Sequence, residues 1–231
     1  MTNIQRVMVL FASPGREMAE LAGRPTFWFP LALTLVCTLI VQLWYFQIVD
    51  FSWLADYSIS ANRRMAQLPE ASRTALASKM SRGRLMGFTV TAALLAPLLI
   101  RTLTATFFNL LGKLLNIRKT FGEWLAVIWW ASLPLTLNLL AAVLFLALTP
   151  SHQISPPGLS VLSLNELFAH RSYHERGFNV LTTLTLLHPI AWWYTVRGAQ
   201  ALSGRSLQFS AVFVLTPILL FYVVWALLPI A

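Results

Sequence analysis

The stretch Trp124-Leu-Ala-Val-Ile-Trp-Trp-Ala-Ser-Leu-Pro134-Leu-Thr-Leu-Asn-Leu-Leu-Ala-Ala-Val-Leu-Phe-Leu-Ala-Leu-Thr149 contains no charged residue. As a helix rising 1.5 Å per residue it is long enough to cross roughly 30 Å of bilayer hydrocarbon. Four further windows of this kind lie at 26–48, 86–111, 178–196 and 209–230, and Arg101 is the one charge inside any of them. Backbone polar groups have no water partner in lipid, so each window is expected to be helical, or broken only where neighbours satisfy the freed groups. The fold expected is all-α: a polytopic membrane protein with five transmembrane helices in residues 26–231, preceded by a short amphipathic segment at 1–25.

The composition agrees. Of 231 residues, 57% are hydrophobic and 11% charged, against roughly a quarter charged in a soluble fold. The net charge is +9, but basic residues beside membrane helices face anionic headgroups, so nucleic acid is not an expected partner. Cys37 is the single cysteine, and alone it forms neither an internal disulfide nor a zinc site. The first long apolar run follows Arg6, Arg16, Glu17, Glu20 and Arg24, a pattern unlike a cleavable signal peptide.

Ahead of the first window, Ile4, Val7, Met8 and Phe11 repeat at helical spacing. Ser13-Pro14 then reads as an N-cap followed by proline at the first helical position. Two short helices on the membrane surface are expected here, on the cytosolic side. With five spans, inner and outer segments each hold eight Lys and Arg. The inner ones are denser in two short loops, which places the amino terminus inside and the carboxyl terminus outside. The loop at 49–85 reads as a helix after Pro69-Glu70. The loop at 150–177 opens with Pro150, Pro156, Pro157 and Gly158, which oppose regular structure, and Ser163-Leu-Asn-Glu166 reads as a capping box.

Arg101 is the sharpest single residue, because a charge near mid-bilayer costs a few kcal/mol and no window holds an acid to pair with it. Three readings stand open: a side chain that snorkels to lipid phosphate or serves structure, a buried polar contact, or a contact to a substrate or ion. By helical rise, Thr34, Ser132, Pro134, His188, Pro189, Thr216 and Pro217 fall in one layer about 10–15 Å from the inner face. Pro134, Pro189 and Pro217 are expected to free the carbonyls of Trp130, Thr185 and Phe213. The layer either lines a small groove with Arg101 and His188 or only kinks the helices for packing. Glu166, His170 and His174 stand at helical spacing on one expected face, a weak metal candidate, and no cofactor is expected. No nucleophile elbow, zinc-protease motif, phosphate-binding loop or intramembrane carboxylate pair occurs, so no enzymatic activity is expected.

Phe121-Gly-Glu-Trp124 running into Leu-Ala-Val-Ile-Trp-Trp-Ala-Ser-Leu-Pro134 resembles the start of the third span in the bacterial branch of the YIP family of five-span membrane proteins, named for interaction with Rab-type GTPases. Arg197-Gly-Ala-Gln-Ala-Leu-Ser-Gly204-Arg-Ser-Leu-Gln-Phe-Ser-Ala211 is similar to that family's turn between the last two spans. Ser13-Pro14 and Arg24-Pro25 are similar to its amino-terminal approach. The resemblance covers nearly the whole chain and implies a cytosolic amino terminus, five helices, no catalytic activity and a partner-dependent role. About 25 residues precede the first span, where eukaryotic members carry a long cytosolic region, so GTPase binding is not expected.

Together these readings describe a multi-pass protein of a bacterial inner membrane that binds and organises a membrane partner. The resemblance to the family's bacterial members, some of which are encoded beside ABC-type exporters and periplasmic adaptors, implies an accessory subunit of an ABC-type exporter, with a permease or a periplasmic adaptor as partner. The alternative is a small transporter or lipid-handling protein using the Arg101 and His188 groove.

Overall fold

The computed structural model describes residues 2–228 and is all-helical among them, with one isolated antiparallel bridge between Ser163 and Thr185. Helix α1 covers Asn3–Ala12, α2 Pro14–Gly23, α3 Trp28–Ile48, α4 Phe51–Ala61, α5 Arg63–Ala66, α6 Glu70–Lys79 and α7 Arg82–Leu114. Helix α8 covers Phe121–Ala131, α9 Thr136–Leu148, α10 Phe178–Thr183, α11 His188–Ser203 and α12 Leu207–Leu227. Four helical runs among the described residues are long and apolar enough to cross a membrane: Trp28–Ile48, Arg82–Leu114, Phe121–Leu148 and Leu207–Leu227. These match four of the five expected windows, and positions 229 and 230 of the last window lie outside the described residues.

The window at 178–196 differs from expectation, because it is two helices and not one. Pro189 sits in the first turn of α11, where its missing N–H costs nothing. In a continuous helix that missing donor would have left the Thr185 carbonyl unserved. The chain instead breaks between α10 and α11, and the break is satisfied by antiparallel pairing with 162–164. Leu164 N–H donates to Leu184 O at 2.8 Å, and Leu186 N–H donates to Leu162 O at 3.0 Å. A kink at Pro189 is thereby corrected to a helix start.

The chain forms two compact units. The first comprises 1–36, 95–137 and 187–224. Its core gathers Leu10, Met18 and Leu21 from the amino-terminal helices with Phe108, the α8 run from Trp124 to Ala131, Tyr194, Val196, Phe213 and Val214. Phe108 stacks on Trp124, and Phe213 lies tilted against both, with centroids 5.5–5.9 Å apart. Helix α8 begins with a reciprocal cap between Thr120 and Glu123. Helix α7 ends with Asn116 left-handed at φ 62 and Ile117 N–H bonding back to Gly112 O at 2.8 Å, the bond that closes a Schellman turn. Pro134 interrupts the expected third span as anticipated: a 3-10 turn at Leu133–Leu135 separates α8 from α9. The Ser132 and Thr136 hydroxyls donate there to Ile128 O and Leu133 O, each at 2.6 Å.

The second unit comprises 37–94 and 138–186, with the residues from 225 onward. Val41, Tyr45, Phe46, Val49, Leu54, Ala142, Leu146, Ile154 and Leu159 form its core. The Tyr45 hydroxyl donates to Ile154 O at 2.8 Å. Arg82, at the start of α7, donates to Phe46 O and Val49 O, carbonyls that the carboxyl end of α3 leaves without an intrahelical partner. The expected helix after Pro69 is α6, while α4 and α5 were not anticipated from the sequence. Each of those starts on a side-chain cap, from Asp50 and Asn62 respectively. The Asp50 carboxyl lies below the usual range because Ser52 and Trp53 donate hydrogen bonds to it.

Candidate functional site

In the first unit the Thr2–Gln5 capping box starts α1, and Ser13-Pro14 ends it and starts α2 as expected. Helix α2 lies against α11 and α8, burying Met18 and Leu21 together with Glu17, which is 0% exposed. A lone carboxylate in such a place would cost several kcal/mol. Here the Arg6 Nε–H donates to Glu17 Oε1 at 2.7 Å, and the Arg6 guanidinium lies 4.5 Å from the Trp130 ring centre. Burial pushes the Glu17 carboxyl up, and Arg6 opposes the rise. Turning Arg6 inward turns the far side of α1 outward. Ile4 and Met8 are 65% and 64% exposed, and Phe11 is also exposed. Of the apolar face read from the sequence, Val7 packs on the core, Phe11 lies edge-on against Tyr194 at 6.2 Å, and Ile4 and Met8 point outward.

Two close approaches fix α11 in place. A Cβ on Gly198 would collide with Val127 Cγ1 of α8, and one on Gly15 would collide with the Arg197 guanidinium. Arg197 in turn lies over Trp193 at 5.8 Å. The Trp130 indole N–H donates to Thr26 O at 2.7 Å, tying the start of the first span to α8.

Arg101 falls on the buried stripe of α7 with Ala105, Phe108, Asn109 and Gly112. It is 9% exposed, and its guanidinium sits 4.4 Å from the Trp129 ring centre. Consecutive tryptophans of α8 thus each carry an arginine, Arg101 on Trp129 and Arg6 on Trp130. Neither pairing is legible in the sequence, because residues so distant in the chain give no local signal of their contact. Leu99, Ile100, Leu103 and Leu110 hold the opposite, exposed side of α7. Arg101 thus lies on the side of α7 that packs within this unit.

The remaining residues of the expected layer have differing surroundings. Pro134 is buried and Ser132 half-buried beside it, but Pro189 and Thr216 are exposed. Thr34 is buried and donates to Pro30 O at 2.8 Å within α3. Pro217 lies inside a continuous α12. His188 packs edge-on against Trp192 and Tyr222, with centroids 5.9 and 6.4 Å away. An open apolar groove of about 420 Å³ follows α9, lined by Ala141, Leu144, Phe145, Leu148, Thr149 and Val161, and no layer residue belongs to it.

The expected helix face of Glu166, His170 and His174 does not form. A single π turn spans Asn165–Ala169 and ends as His170 turns left-handed at φ 49. Asn165 secures the reversal by accepting from Arg171 N–H at 3.0 Å, and His174 Nε2 lies 2.9 Å from Ser60 O. Glu166 N–H does bond to Ser163 Oγ at 3.2 Å, half of the expected capping box. Among the described residues no three His, Cys, Asp or Glu side chains are grouped to hold a metal ion.

A family model described as Yip1 domain matches residues 8–228. No curated protein and no solved structure matches the chain.

Proposed function

The chain belongs to the Yip1 domain family, and on that premise we propose that it is a non-enzymatic protein that binds and organises a membrane partner. The partner is another integral membrane protein, and the finer assignment is an accessory subunit of an ABC-type exporter in a bacterial inner membrane. The observation that supports this reading is the docked amino-terminal hairpin. Arg6 and Glu17 hold α1 in one orientation, and Ile4 and Met8 face outward from it. A pre-ordered apolar face outside the spans loses little conformational freedom on binding, which favours association. In this reading the amino terminus is cytosolic and the broken run from α10 to α11 supplies a fifth crossing. Its non-helical residues are tolerable in lipid because their backbone groups are paired within the protein.

Affinity capture of the tagged full chain in mild detergent, followed by mass spectrometry, tests the proposal. Stoichiometric recovery of a permease or adaptor, lost on Met8→Glu, supports it. Recovery of the chain alone overturns it.

A further inference from the structure

Arg101 makes no hydrogen bond and no ion pair with any described residue, although it is 9% exposed and its Nε is fully enclosed. The Trp129 ring covers one face of the guanidinium at 4.4 Å and leaves the edge, where the N–H donors point, unserved. Interior arginines in membranes otherwise pair with acids or carbonyls. No Asp or Glu lies within 17 residues of Arg101 toward either terminus.

The side chain also starts deep along its helix. Arg101 stands 19 residues from Arg82 and 13 from Leu114 along α7, roughly 28 and 20 Å at 1.5 Å per residue. Helical side chains also lean toward the amino terminus, here away from the nearer end. At this depth a partner for the guanidinium is most simply supplied from the lipid.

We propose that Arg101 and Trp129 form a binding site for the carboxylate of a single-tailed amphiphile, a long-chain carboxylic acid. Its neutral acid form enters lipid without a charge, and on pairing with Arg101 its proton passes to water carried in with the carboxyl headgroup and on to bulk solvent, leaving the carboxylate on the guanidinium. The two oxygens match the guanidinium fork, which binds carboxylates through two parallel hydrogen bonds. A phosphodiester headgroup has no neutral form near pH 7 and would carry its full charge to the same depth. The tail lies along the apolar side chains of the span. This inference is independent of the proposed partner, since it concerns the interior of α7 and α8 and not the surface of α1.

The test titrates the purified full chain in non-ionic detergent with 1-13C-palmitate, and counts adducts by native mass spectrometry while following the carboxyl carbon by NMR. One palmitate per chain is expected, ionised at lower pH than free palmitate in the same micelles. Arg101→Gln should weaken it at least tenfold. Methyl palmitate, which keeps the tail and lacks the charge, should bind no better to the wild type than palmitate binds to Arg101→Gln, and acetate should not compete. Equal binding of the ester and the acid by the wild-type chain overturns the proposal, whether or not the variant folds. Undiminished binding by a folded Arg101→Gln overturns it too, as does displacement of palmitate by equimolar phosphatidylglycerol. Failure of partner capture leaves these readouts unchanged, so the two proposals fail separately.

Discussion

Arg6 reaches across the turn between the first two helices and donates from Nε to the buried Glu17 Oε1 at 2.7 Å, while its guanidinium rests on Trp130. One side chain therefore joins α1, α2 and α8. Removing it strands a carboxylate that is 0% exposed. Arg6→Ala should cost about 3 kcal/mol, within the range for breaking a buried pair. Arg6→Ala with Glu17→Gln should recover part of that loss, because the amide carries no charge to leave unpaired. Thermal unfolding in detergent across the four variants checks the coupling.

The Glu17 carboxyl also sets a pH response. Its folded pKa is raised above the ordinary 4.5, chiefly by burial, so folding favours the protonated form. The associated stability is fully present below about 4.5 and is lost as pH rises through the raised value. The unfolding temperature of the wild type should fall across that window, and the fall should be absent in Glu17→Gln. An equal slope in both proteins would remove Glu17 as the cause.

Gly198 permits α11 to approach α8 at backbone distance, since a Cβ there would meet Val127 Cγ1. Gly198→Ala should destabilise by about 1–3 kcal/mol, the usual cost of overpacking, and Val127→Ala in the same chain should relieve it. Gly15→Ala meets only the flexible Arg197 guanidinium and should cost less. Unfolding midpoints of the three variants rank them.

Arg82 caps the end of α3, with Nη2 donating to Val49 O at 3.2 Å and Nη1 to Phe46 O. Arg82→Ala leaves both carbonyls without their donor, at about 1–3 kcal/mol. Amide hydrogen exchange should quicken at the carboxyl end of α3 and stay unchanged in α8. Uniform quickening along the chain would show global loss instead.

Met8→Glu separates binding from folding. Met8 is 64% exposed, so the variant should unfold within about 0.5 kcal/mol of the wild type, as surface changes usually do. Partner capture should drop at least tenfold. A variant that folds and captures normally would move the contact away from α1.

Apolar length and the absence of charge were enough to read four membrane-crossing helices, the two amino-terminal helices and the break at Pro134, because these follow from local rules of helix rise, capping and a missing proline donor. The same rules misread 178–196. Hydropathy measures whether residues tolerate lipid, whereas the break before Pro189 depends on pairing with 162–164, a segment some twenty residues away. The face of Glu166, His170 and His174 failed for a similar reason: spacing places residues on a common face only while the helix continues, and it ends at Ala169.

From the sequence alone came a membrane protein with one charge, Arg101, inside its spans. That follows because the bilayer acts on each residue by its own transfer energy, wherever the rest of the chain lies. Only the tertiary structure decided that Arg101 faces inward onto Trp129, and that Arg6 turns Ile4 and Met8 of α1 outward. Which way a charge points depends on contacts among distant segments, and no local pattern records them.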